Sequence, residues 1–547
     1  MAGQMRSPLP MLVIALAACA HGAPAGLAPL SLTDRAMAFP PADSANAVHL
    51  LDRLAFGPRP GDIAHVQALG IRNWLEEQLD PGRLRDTAGE AALKPYALAL
   101  GDPTDIYAAY SPPPPSAQLD SAARQRAMQG AYQLKTRVMM TALARHIASN
   151  RQLLEIMTDF WTNHFNVFMD KGADRWLTAD FIEHVIRPHA LGRFEDLLVA
   201  TAEHPAMLVY LDNAQSVAPG SRPPAGRPAM VEMRRGSAPP PRPGATPGRP
   251  ESGINENYAR ELMELHTLGV DGGYTQRDVT EVARILTGWG IAQPTRMGVG
   301  RFGFEFHAWA HDSGPKEALG VLFPAGHGMD EGLKLLHLLS ENPATARHLA
   351  HRLCARFVAD APPDGCVDAA VAAYQRTHGD IRAVLVAIVA SPDFWAAENR
   401  RAKFKPPLTF VVSAVRALDA EPDTSVRLIG ALQQLGEPLF MHLTPDGYPD
   451  AAADWLNSGA ILTRMNLALS LASGRMPGVV VDLDRLCPVT SDYDELVRRV
   501  DAVILAGQGS ERTLRVIRQQ IGGLTDPDRA RAMAVGLALG SPDFQKE

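Results

Sequence analysis

Cysteine is scarce: the chain has four, Cys19, Cys354, Cys366 and Cys487, and no CxxC pair among them. That spacing offers no thiolate zinc centre of the usual kind. Three cysteines follow Cys19, so at most one internal bridge can form among them. Cys354 and Cys366 would pair in an oxidising compartment if their Cα atoms come within about 7 Å. Charge of one sign is also missing: 53 Lys and Arg against 60 Asp and Glu leave a net charge of -7. Without a basic footprint to neutralise phosphates, nucleic acid is not an expected partner. Several catalytic signatures are absent too. There is no Gly-x-Ser-x-Gly elbow, no P-loop, no His-Glu-x-x-His helix, and no Gly-x-Gly-x-x-Gly opening a helix after a strand. The 17 histidines are scattered.

What is present begins at the first residues. Arg6 precedes the apolar run Met11-Leu-Val-Ile-Ala-Leu-Ala-Ala-Cys19, followed by small and turn-forming residues. The run is shorter than the roughly 20 residues a spanning helix needs. Residues 1–23 therefore read as a secretory leader. Its tail, Leu16-Ala-Ala-Cys19, resembles a lipobox, in which Cys19 would be lipidated and anchor the protein. Cleavage near Ala20 to Ala23 would instead leave a soluble periplasmic or secreted protein, and both readings stand.

Beyond the leader, 46% hydrophobic and 21% charged residues over 547 positions suit a large globular core. Apolar residues recur at helical spacing over Ala45 to Phe56, Leu134 to Ile147, Leu153 to Phe168, Tyr258 to Leu268 and Leu333 to Leu339. The same spacing recurs at Ile381 to Val389, Leu408 to Leu418, Leu462 to Leu471 and Leu496 to Leu505. The one period-two stretch is Phe302-Gly-Phe304-Glu-Phe306. The expected fold is mainly α, a single large multi-helix domain over residues 40–547 with at most a small β-hairpin. Two loops interrupt it: the four-proline run within Ser111 to Gln118, and the Pro-, Gly- and Arg-rich insertion Val217 to Gly253, whose composition predicts local disorder. Ala390-Ser-Pro-Asp-Phe394 and Gly540-Ser-Pro-Asp-Phe544 echo each other, and a Ser cap with Pro in the first turn explains both.

Three stretches carry candidate chemistry. In Asn255 to Gly269, Asn255 can cap a helix and Gly269 can end it. Glu261 and Glu264 then project together and can chelate a hard cation or share a proton. The plainer account is a stabilising ladder, with Glu256 to Arg260 and Arg260 to Glu264 at i,i+4 spacing. In Asp159-Phe-Trp-Thr-Asn-His164-Phe-Asn-Val167, His164 falls in register with Met157, Phe160 and Trp161 and needs a buried partner, whether a metal, a carboxylate of the Glu261 helix or another core group. Finally, His311-Asp312 with Lys316 follows the period-two stretch, where ligands are well placed, although a turn Asp paired with Lys316 would explain it equally.

These residues, together with Leu50-Leu-Asp-Arg-Leu-Ala-Phe-Gly57, Ala206-Met-Leu-Val-Tyr-Leu-Asp-Asn213 with Ser216, Asp271 through Gln276, Leu286-Thr-Gly-Trp289, Lys403-Phe-Lys-Pro406 and Gly447-Tyr-Pro449 to Trp455, resemble the bacterial family named domain of unknown function 1800. The resemblance covers nearly all of the chain beyond the leader. It implies an exported, largely helical protein, often encoded beside a second family whose fold is similar to sulfatases and alkaline phosphatases, which is the expected partner if the protein is a scaffold. His164, Asp212, Asn213, Asn255, Glu256, Arg260, Glu261, Glu264, His266, His311 and Asp312 occupy its motif positions. The chain departs from the pattern at Thr409, where the resemblance implies Glu, and at Tyr448, where it implies Trp.

The expected function is therefore an exported enzyme with a polar pocket, its substrate an extracellular polymer or envelope component. Glu261, Glu264, His266 and Arg260 are the catalytic candidates. His164, Glu261, Glu264, His311 and Asp312 are the candidate ligands of a divalent metal. The alternative is a non-catalytic periplasmic scaffold tethered at Cys19. Membrane contact is expected only through that anchor, and Cys19→Ala tests it. The substitution shifts the protein from the membrane to the soluble fraction if Cys19 is lipidated and leaves fractionation unchanged if the leader is simply removed.

Overall fold

The computed structural model describes residues 38–110, 121–223, 253–294, 300–423 and 426–547. The leader with Cys19, the four-proline run and most of the Val217 to Gly253 insertion lie outside these residues. Helices dominate the described chain, and its strands form three two-stranded antiparallel ribbons. Each apolar window is helical, including Ser44–Leu54, Ser121–Ala148, Gln152–His164, Met329–Ser340 and Pro407–Ala417. Among the described residues no helix is long and apolar enough to cross a membrane.

The period-two stretch forms β2 (Gly303–Phe306), which pairs with β1 (Trp289–Ala292) in the register Trp289 to Phe306. Local capping sets many boundaries. Asn342 accepts from Ala344 N–H at 2.8 Å to open Pro343–Phe357. Asp380 accepts from Arg382 N–H at 2.9 Å to open Ile381–Ala390. The repeated Ser-Pro-Asp-Phe pieces are both short capped helices: Ser391 and Ser541 each accept the N–H three residues on, at 3.3 Å.

One continuous apolar core runs from Ala47 to Phe544, and a smaller cluster gathers around Trp176. Gln152–His164 crosses this core with nearly every residue buried. Its less buried positions include Asp159, Thr162 and Asn163, spaced i, i+3, i+4, so the helix carries one polar stripe.

The two ends of the insertion are pinned together. Val217 N–H donates to Gly253 O at 3.3 Å, and Asn255 N–H donates to Ser216 Oγ at 3.1 Å. The insertion thus leaves and rejoins the fold at one point, beside β1, where Gly288 N–H donates to Ser216 O at 3.1 Å.

Cys354 and Cys366 form a disulfide with Cα atoms 6.3 Å apart, joining Pro343–Phe357 to Asp364–Thr377; Cys487 is free and buried. A bridge closing a loop of this size removes chain entropy from the unfolded state. Replacing both cysteines by Ser is expected to lower unfolding free energy by about 2–4 kcal/mol in urea titrations. Reductant should lower the wild type similarly and leave the double variant unchanged.

Candidate functional site

The Glu256–Glu264 helix is capped by Asn255, which accepts from Asn257 N–H at 3.0 Å. It stops five residues before Gly269, because imidazoles from two other helices take the carbonyls that follow. His164 Nε2 lies 3.1 Å from His266 O, and His348 Nε2 lies 3.1 Å from Leu265 O. Gly269 then turns the chain at φ +83, a left-handed conformation that favours glycine, with the His348 ring packed against it.

Arg352 settles the state of His164. Its Nη1 is 3.0 Å from His164 Nδ1, and a guanidinium only donates, so Nδ1 accepts and Nε2 carries the proton given to the His266 carbonyl. Both ring nitrogens are therefore engaged. Burial, then the charge of Arg352, holds the His164 pKa well below its ordinary value. His266 is also buried, its Nε2 without a hydrogen bond among the described residues, and burial followed by Arg352 pushes its pKa down to about 3.

The acidic candidates lie on the same helix but in a different setting. Glu261 and Glu264 are half-buried; burial, then the charge of Glu264, raises the Glu261 pKa. Tyr274 Oη donates to Glu264 at 3.2 Å. The intrahelical ladder does not form: among the described residues no ion pair joins Arg260 to Glu256 or Glu264. The Gln276–Ile285 helix packs alongside and supplies partners instead. Arg260 donates to Gln276 at 2.8 Å, while Gln276 and Thr280 donate to Glu256 at 2.9 and 2.8 Å.

The His311-Asp312 doublet is a third, separate network. His311 Nδ1 is 2.9 Å from Thr287 O, and its Nε2 is 3.4 Å from Glu331. Asp312 pairs with Arg284 at 2.8 Å rather than with Lys316. Burial alone would raise the Asp312 carboxyl, but the Arg284 hydrogen bond and the Gly314 N–H bring it below the usual range. Lys316 is fully buried and donates to Glu331 at 2.6 Å and to the Asp312 and Gly314 carbonyls.

The five candidate metal ligands are thus divided among a sealed histidine junction, a half-buried Glu pair and a doublet tied to Arg284 and Glu331. Among the described residues no group of three or more His, Cys, Asp or Glu side chains is arranged to hold an ion. The donor set does not fit a shared metal shell, chiefly because His164 has no nitrogen left to offer.

Other stretches do converge. The polar stripe of Gln152–His164 lines a cavity of about 60 Å³, shared with Pro406, Thr409, Glu437, Tyr448 and Asp450. Asn163 and Tyr448 close one side through two reciprocal bonds: Asn163 Nδ2 to Tyr448 O at 2.8 Å, and Tyr448 N–H to Asn163 Oδ1 at 2.7 Å. Gly447 permits this approach, with φ +75 and a position where a Cβ would collide with the Asn163 carbonyl. Phe440 forms another wall in a left-handed conformation (φ 60), an outlier for an aromatic residue. Both positions where the chain departs from the expected pattern, Thr409 and Tyr448, face this cavity.

Two carboxyls there are displaced toward protonation. Burial raises Asp159 to about 6, with Arg356 opposing and Asp450 adding to the rise. Burial raises Glu437 to about 8, against one hydrogen bond from Leu408 N–H at 2.7 Å, and the charges of Asp159 and Asp450 add to it. Asp159 makes no hydrogen bond among the described residues. Sequence reasoning quoted Asp159 without selecting it and missed Glu437, Asp450, Arg352 and Arg356. The i, i+3, i+4 polar stripe in an apolar helix was a signal for Asp159; nothing local marks Glu437.

These features define a mainly helical protein with a carboxyl-lined pocket. The chain belongs to the family described as Protein of unknown function (DUF1800), whose model matches residues 49–546. No curated protein and no solved structure matches it.

A histidine held neutral in the fold binds fewer protons than in the unfolded chain, so its contribution to stability falls as pH drops below the unfolded value near 6.5. His266→Phe removes one such group. Between pH 6 and pH 4 the wild type should lose about 1.4 kcal/mol per pH unit more than this variant, read from urea unfolding at each pH.

Proposed function

We propose that the chain is an exported enzyme that hydrolyses bonds in a polar extracellular polymer or envelope component, using Asp159 and Glu437 as a proton-transfer pair. One observation carries the reading: two half-buried carboxyls with raised and different pKa values line one cavity walled by motif stretches. At neutral pH a carboxyl with a pKa of about 6 is mostly ionised and one at about 8 mostly protonated. Asp159 takes a proton from the attacking water, and Glu437 gives one to the leaving group, so water adds across the broken bond. Arg356, also at the cavity, offers positive charge to the developing anion. Export is supported by the leader-like residues 1–23 and by the Cys354–Cys366 bridge, since disulfides persist in oxidising compartments.

A second reading, a scaffold beside a phosphatase- or sulfatase-like exported partner, is favoured by a different observation. His164, His266 and His311 are sealed in the interior and Asp312 is tied to Arg284, which suits packing roles.

Carboxyl titration followed by infrared spectroscopy separates the two without a substrate. The difference between wild type and Glu437→Gln should show a group losing its proton near pH 8, and that for Asp159→Asn one near pH 6. Ordinary titration of both near 4 would overturn the enzyme reading. On a panel of p-nitrophenyl glycosides and esters, activity should rise through about pH 6 and fall through about pH 8. Either substitution should lower kcat at least about a hundredfold.

A further inference from the structure

A larger cavity, about 230 Å³, lies on another side of the segment that leads into Pro407–Ala417. Pro406, Leu408 and Thr409 border the carboxyl-lined cavity, whereas Lys405, Ser413 and Ala417 border this one. One wall is apolar, built from Val48, Ile63, Val503 and Leu505. Most of its polar groups are already committed. Arg59 bonds Asn150 and Asp62; Arg401 bonds Gln508 O at 2.8 Å and the Asp543 side chain at 3.0 Å; Asp543 accepts from Ser510.

Lys405 and Asp52 are the exceptions. Lys405 is 3% exposed. Its Nζ has the Phe544 ring 4.4 Å away and Asp52 Oδ1 at 3.7 Å, and makes no hydrogen bond among the described residues. The Asp52 carboxylate, also largely buried, likewise makes none among those residues. The ammonium borders the cavity, and 3.7 Å is too long for a hydrogen bond to Asp52, so its donors are left to whatever occupies that space. Lys546, exposed at the rim, adds a second positive charge, so the uncommitted groups favour an anion. Arg401 and Ala506, both lining this cavity, hold left-handed backbone (φ 55 each).

We propose that this cavity binds a compact, hydroxyl-bearing organic oxyanion of sugar-acid or sugar-phosphate size, its anionic end on Lys405 Nζ and a hydroxyl donating to Asp52. The shared chemistry is one oxyanion and one donor on a small polar frame whose less polar face meets the apolar wall. This site is independent of the Asp159 and Glu437 chemistry, and neither reading requires the other.

Calorimetry on the full protein with glucuronate, glucose 6-phosphate and glucose tests it. At least one of the two anions should bind, and glucose should bind at least about tenfold more weakly, as expected for a lost hydrogen bond to a charged group. Lys405→Met, which keeps the packing on Phe544, should weaken the anion by at least about tenfold, and Lys405→Arg should weaken it less. In the wild type the bound anion should shield Lys405 from acetylation, read by mass spectrometry, with the same concentration dependence as the calorimetry. Glucuronate binding alone assigns the carboxylate source, and glucose 6-phosphate binding alone the phosphate source. The proposal is overturned if neither anion binds, if Lys405→Met binds as wild type does, or if binding leaves Lys405 acetylation unchanged. Should Lys405→Met fail to fold, the acetylation measurement decides by itself.

Discussion

Three helices meet where His164 and His348 hold the carbonyls at the end of the Glu256–Glu264 helix, with Arg352 behind His164. Carbonyls at a helix end have no intrahelical partner, and burying them without one would be costly. The imidazoles supply that partner from a distance of about a hundred positions in sequence for His164, so the contact can exist only when all three helices are packed. Its chemistry also fixes its charge. An arginine that only donates forces His164 to be neutral at Nδ1, and burial keeps His266 neutral beside it. The junction is thus a buried polar seam in which two neutral imidazoles lie beside the Arg352 charge.

That seam orients the rest of Gln152–His164. With Phe160, Trp161 and His164 turned into the core, helical geometry leaves Asp159, Thr162 and Asn163 on the opposite edge, facing the small cavity. Asn163 then reaches the Gly447-Tyr448 turn, and Arg352 on the next helix approaches Asp450 at 3.7 Å. The polar pocket is a consequence of where the sealed histidine points. The Cys354–Cys366 bridge acts on the same helix, stiffening the element that carries Arg352 and Arg356.

Two sets of buried or half-buried polar groups stand in contrast. Lys316 with Glu331, and Asp312 with Arg284, are close, directed ion pairs that offset their desolvation. Asp159, Glu437, Lys405 and Asp52 lack such complete pairing and border cavities instead. Incomplete pairing at a cavity is what a binding or proton-transferring group requires, since a saturated side chain has nothing left to offer.

The helical class, the hairpin strand at Phe302 to Phe306, the Ser-Pro caps and the family were legible in the amino-acid order, because periodicity, capping and motif spacing are local properties. The burial of His164 was legible for the same reason. Its partner was not: the sequence left open a metal, a carboxylate of the Glu261 helix or another core group, and the fold supplied a backbone carbonyl of the chain leaving that helix. Spacing likewise proposed an Arg260 ladder, which the neighbouring helix replaced with contacts of its own. The convergence of residues near 159, 356, 409, 437 and 448 on one cavity, and of Asp52 with Lys405 on another, was decided by tertiary packing alone. Pairing and protonation depend on which groups are brought within a few ångströms and on how much water is removed from between them, and no local pattern encodes either.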